Sequence, residues 1–126
     1  MRLNHDCIRD IMITAVDNLT LTTPLTMEKL KALLPKYDKE TLYYNCLKLY
    51  ELGYIDASVT DVNGFIIKLV CAINDVTALG HEFTEQIRPE RVYKEAKKKI
   101  NSVIDSASMA VLSSVLQAIT LKTLGL

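Results

Sequence analysis

Apolar side chains recur along the first third of the chain at helical spacing. Ile8, Ile11, Met12, Ala15, Val16 and Leu19 lie on one side of residues 4–18, with Arg9, Asp10 and Asp17 on the other, and that pattern predicts an amphipathic helix. The Thr-rich stretch LTLTTPLT breaks the period and suits a short extended segment entering a turn. Thr26 then offers a hydroxyl to cap a short helix over MEKLKALL, with Met27, Leu30 and Leu33–Leu34 facing one way, and Pro35 ends it. Asp38 is the next candidate cap. Lys39 to Leu52 is free of Gly and Pro, and Gly53 stands where a left-handed residue closes a helix.

Beyond Gly53 the period changes to that of strands. Tyr54, Ile55, Ala57 and Val59 lead into TDVNG, and FIIKLVCAI follows, so Asn63-Gly64 predicts a tight hairpin turn between two β-branched runs. Helical spacing returns in VTALGHEFTEQI up to Arg88, and Pro89 is suited to open a new helix. In that helix Val92, Tyr93, Ala96, Ile100, Val103 and Ile104 form one stripe, and a last helical segment runs from Ser106 to about Leu124. The order predicts an α+β fold of winged-helix-like type: a tri-helical helix-turn-helix core plus a β-hairpin wing over residues 1–88. A C-terminal helical extension over 89–126 would pack on the same core.

Composition narrows the class. The chain has 126 residues, 49% of them apolar, which is too many for a disordered chain and suits one compact domain. No run of about 18 apolar residues is present to span a membrane, and the charged start MRLNHDCIRD lacks the apolar stretch of a secretion signal. Three scattered cysteines, Cys7, Cys46 and Cys71, read as reduced thiols of a cytoplasmic protein. Catalytic and metal patterns are missing: there is no Cys-x-x-Cys, His-x-x-x-His, Gly-rich phosphate loop or Gly-x-Ser-x-Gly elbow. His81 and Glu82 are adjacent and point about 100° apart on a helix, so they do not converge on one ligand. His81 is expected to be a satisfied structural histidine, and Cys46 a small buried hydrophobe. The expectation is no enzyme, no cofactor, no metal and no small-molecule substrate.

Three stretches, IRDIMITAVDN, ETLYYNCLKLYELGYIDA and LGHEFTEQIRPERVYKEAKKKI with the final LKTLGL, resemble a known family. It is the small phage- and prophage-associated proteins catalogued as domain of unknown function 2513. Gly80-His81-Glu82-Phe83 and the lysines that follow are the most specific part of the likeness. Tyr93 stands where the family commonly has Trp, and Leu79 where an acidic residue is usual. The resemblance implies a winged-helix-like fold and a mobile-element origin, and no activity.

Charge is segregated along the chain although the formal net charge is zero. Residues 26–48 balance at +2. Residues 49–87 hold only Lys68 against six acids, and residues 88–99 carry Arg88, Arg91, Lys94, Lys97, Lys98 and Lys99 against Glu90 and Glu95. A DNA-binding regulator with so acidic a wing must hold phosphates with the third helix and the distal lysines. On that helix Leu42, Cys46 and Leu49 form the core stripe, and the opposite pole holds Glu40, Tyr44, Lys48 and Glu51. Lys39, Tyr44, Lys48, Lys94, Lys97 and Lys98 are therefore the candidate nucleic-acid contacts. A second stripe, Tyr43, Leu47 and Tyr50, is the candidate contact for a host or phage protein if the chain is instead a protein-binding module. The uncharged segment 106–121 has apolar residues over more than half its circumference. It predicts a homodimer through Leu112, Leu116 and Ile119.

Overall fold

A computed structural model describes residues 3–61, 68–101 and 109–125. Among these the chain is mixed α+β, with six helices and one three-stranded antiparallel sheet. The elements run α1 (His5–Asn18), β1 (Leu25–Thr26), α2 (Met27–Leu33), α3 (Lys39–Glu51), β2 (Ile55–Asp61), β3 (Lys68–Val76), α4 (Ala78–Ile87), α5 (Glu90–Asn101) and α6 (Met109–Thr123). The chain divides into two compact units, Met1–His81 and Glu82–Leu126, and the division falls inside α4. No helix among the described residues is long and apolar enough to cross a membrane.

Short polar side chains start the helices. The Asn4 side chain accepts from Cys7 N at α1, Thr26 from Lys29 N at α2, and Asp38 from Thr41 N at α3. The Asp38 bond favours the ionised carboxylate and holds its pKa below the usual range. Helix α3 ends in a Schellman pair: Gly53 at φ +80° donates to Tyr50 O at 3.0 Å, and Tyr54 N donates to Leu49 O at 3.0 Å. A side chain at Gly53 would be strained by that φ alone.

In the first unit Ile8, Ile11 and Met12 of α1, Leu30 of α2, and Leu42, Cys46 and Leu49 of α3 are fully buried. They share the core with Leu25, Ile55, Val70 and Ile73 from the sheet. Strand order is β1-β3-β2, with Leu25 opposite Ile73 and Ile55 opposite Val76. The short extended segment expected of the Thr-rich stretch thus supplies a third strand, and only its pairing with β3 went unread in the local pattern. Asn63-Gly64 lies outside the described residues. Leu33 departs from expectation: it is exposed, because it sits 120° round α2 from Met27 while Leu30 fills the core.

The turn between α2 and α3 is braced to α1. Tyr37 donates its hydroxyl to Asp10 Oδ2 at 2.6 Å, and Lys36 Nζ lies 3.1 Å from the same oxygen. Burial and then the Asp10 hydrogen bond push the Tyr37 phenol well above its ordinary pKa, so it stays a donor. Lys31 closes the turn from the other side, donating to Pro35 O and Tyr37 O.

In the second unit α5 and α6 pack on each other. Tyr93, Ala96 and Ile100 are buried, whereas Val92 is half-exposed; Val103 and Ile104 lie outside the described residues. Pro89 precedes α5 and its carbonyl accepts from Tyr93 N, so it sits one place before the first helical residue. Leu112, Leu116 and Ile119 are buried at 0%, 0% and 3% exposure. They belong to the protein's own core and cannot serve as free contacts for a second copy. The large apolar side chains α6 leaves exposed are Val111 and Leu121, with Leu124 just beyond the helix.

Candidate functional site

Helix α3 carries most of the candidate contacts, and its local structure fixes their roles. Asp38 starts the helix immediately after the braced turn, so Lys39 stands exposed on its first turn. One side of the helix descends into the core as Leu42, Asn45, Cys46 and Leu49, and this places Tyr43, Tyr44, Leu47 and Lys48 half-exposed and Tyr50 exposed. The Tyr43–Leu47–Tyr50 stripe is therefore partly open to solvent rather than covered.

The opposite pole is internally neutralised. Lys48 Nζ lies 2.8 Å from Glu51 Oε1 and 5.3 Å from the Tyr44 ring centroid. The Glu51 hydrogen bond raises the Lys48 pKa, so the ammonium is charged but already engaged. On α5 Lys94 pairs with Glu90 at 3.0 Å, Lys97 lies over the Tyr93 ring at 5.9 Å, and Lys99 pairs with Glu95 at 3.7 Å. Both ion pairs are exposed and weakly held, since pairs of this kind contribute about 1 kcal/mol or less. They can open to a phosphate at little cost. Lys98 is exposed beside them.

The first unit holds two pockets, one of them beside α3. The cleft between α2 and α3, about 320 Å³, is lined by Met27, Glu28, Lys31, Lys39, Leu42 and Tyr43, so it joins one candidate from each predicted class. A second, about 370 Å³, lies between the end of α1 and the sheet, where Asp56 and Asp75 stand directly opposite across β2 and β3 beside His81. His81 is exposed there. No group of three His, Cys, Asp or Glu among the described residues is arranged to hold a metal. Burial pushes the Cys7 thiol up to about 12 and that of Cys46 higher still, so neither supplies a thiolate near neutrality.

Three residues with structural consequence escaped the periodicity. Asn45 is fully buried, accepting from Asn4 N at 3.1 Å and donating to Thr41 O at 2.8 Å. Thr77 caps α4 by accepting from Gly80 N at 3.1 Å, and its hydroxyl donates to Gly53 O at 2.6 Å. Gly80 lies so close to Tyr54 that a Cβ there would collide with the Tyr54 carbonyl oxygen and approach Val76 Cγ1 to 2.9 Å. An Asn inside an otherwise apolar i, i+3, i+4, i+7 stripe was the one visible signal. Thr77 gave none, and Gly80 stood out only through the family likeness.

The class these features define is a small α+β protein whose outward helix follows a short braced turn, with charged and tyrosine side chains exposed along it. The chain belongs to the family described as Hypothetical protein (DUF2513), whose model matches residues 2–107. No curated protein and no solved structure matches the chain.

Proposed function

We propose that this protein is a small DNA-binding regulator of a mobile element, non-enzymatic, built on a winged-helix arrangement. In it α1, α2 and α3 form the tri-helical core and the β2–β3 hairpin is the wing. The observation that carries this is the presentation of α3. A turn of five residues, fixed to α1 through Tyr37, Asp10 and Lys36, sets the helix outward with Lys39, Tyr43 and Tyr44 accessible on its first turns. Lys94, Lys97 and Lys98 supply phosphate contacts, Lys94 once its weak surface pair with Glu90 opens. The mobile-element origin is supported by the Gly80-His81-Glu82-Phe83 likeness.

A second reading is favoured by a specific observation. Lys48 is spent on Glu51, and the Tyr43–Leu47–Tyr50 stripe stays partly open, which suits a module that binds a host or phage protein.

Fluorescence anisotropy with duplex DNA separates the two. The DNA reading expects binding at about 50 mM salt that weakens steeply as salt rises, and the Lys94, Lys97, Lys98 triple change to Ala should flatten the log–log slope by about 2–3. Absence of salt-dependent binding in the wild type overturns it and leaves the tyrosine stripe as the interface. We further propose a homodimer through Val111, Leu121 and Leu124 of α6 and the turn after it. Light scattering should report twice the chain mass at micromolar concentration, and Leu121→Lys should return it to the monomer value. A wild type that scatters as a monomer removes this part of the proposal.

A further inference from the structure

We infer that the cleft between α2 and α3 is a binding site for a small monoanion with an apolar body, such as an aryl carboxylate or sulfonate. The cavity, about 320 Å³, lies at the lower end of the range for small-molecule sites and holds roughly a bicyclic ring. Its floor is apolar: Met27 and Leu42 are buried at 5% and 1% exposure, and the half-buried Tyr43 ring forms one wall. Its cations are placed differently. Lys31 is held by Pro35 O at 3.0 Å and Tyr37 O at 2.6 Å, which fixes the ammonium in position and leaves one of its three protons to donate. Lys39 is exposed and makes no ion pair among the described residues.

Glu28 also lines the cleft, so the site carries a single net positive charge. One negative charge is matched there, and a second would meet the Glu28 carboxylate. A neutral apolar ligand would cover the floor and leave Lys39 without a counter-charge, so the charge pattern selects a monoanion over both. The cleft shares Lys39 and Tyr43 with the proposed binding face of α3, and a titration without DNA or partner protein tests it apart from that reading.

The test uses the full chain, labelled with 15N and titrated with 2-naphthoate. Saturable amide shifts at Met27, Lys31, Lys39, Leu42 and Tyr43 are expected. The neutral 2-naphthalenemethanol and the variant Lys39→Glu should each bind about five-fold or more weakly, the factor set by losing one charge–charge contact near the surface. Lys29→Glu, an exposed change on α2 outside the lining, should bind like the wild type. The spectrum of each variant reports whether it is folded. Shifts that do not saturate, shifts confined to other amides, or equal affinity for the alcohol and the anion overturn the proposal.

Discussion

Replacing Gly80 with Ala should destabilise the protein by about 1–3 kcal/mol, the range found when a side chain is forced into a filled space. Local propensity alone expects the opposite sign, because Ala is favoured over Gly in a helix by about 1 kcal/mol. What reverses it is the entry of α4. Thr77 N donates to Tyr54 O at 3.1 Å and the Thr77 hydroxyl donates to Gly53 O, so the first turn of α4 is drawn against the backbone that follows α3. At Gly80 a Cβ meets the Tyr54 carbonyl oxygen, and a backbone atom cannot swing aside as a side chain can. Urea unfolding of Gly80→Ala and of the double variant Gly80→Ala, Val76→Ala decides the point. Relieving Val76 should recover little, since the carbonyl is the nearer obstacle. A Gly80→Ala protein as stable as the wild type would contradict the close approach itself.

The second large effect is expected at Asn45. Leu has the same branching of heavy atoms and would suit the apolar stripe formed by Leu42, Cys46 and Leu49, yet Asn45→Leu should cost about 1–3 kcal/mol. Asn45 is fully buried, and its Oδ1 is the acceptor for the backbone N–H of Asn4, the residue that caps α1. Removing that acceptor leaves a partly buried donor without a partner at the point where α1 meets α3. The Asn45 Nδ2 bond to Thr41 O is local to α3 and is the lesser loss. Hydrogen exchange gives a readout that a general loosening would not: the Asn4 amide should exchange faster than the amides at the centre of α1. Asn45→Leu with unchanged stability and an unchanged Asn4 exchange rate would mean the bond contributes nothing.

These two residues mark where local pattern stops being informative. An Asn in a core stripe is visible as an anomaly, but whether it is a defect or a tie depends on a partner 41 positions away. Gly80 looks like a weak point in a helix until Tyr54 is placed beside it. The candidate interface divides in the same way. Periodicity on α3 separated the core stripe from the tyrosine stripe, because helical geometry alone decides which side chains share a face. It could not show that Lys48 is engaged by Glu51 or that Lys39 and Tyr43 line a cleft with α2, which depend on side-chain position and on the neighbouring helix. For α6 the apolar circumference suggested an exposed seam at Leu112, Leu116 and Ile119. Packing instead took those three inward and left Val111 and Leu121 outside.

What the sequence determined by itself is the set of elements and their ends. Thr26 and Asp38 cap α2 and α3, and Gly53 closes α3 with a positive φ. These follow from hydrogen bonds and sterics within a few residues, so every term needed to read them lies in the local sequence. The three-stranded sheet with Leu25 paired to Ile73, the brace of Tyr37 on Asp10, and the glycine contact at Tyr54 were decided only by tertiary structure. Each joins groups far apart in the chain. Their free energy depends on a distance that no short window contains, and the folded packing alone sets that distance.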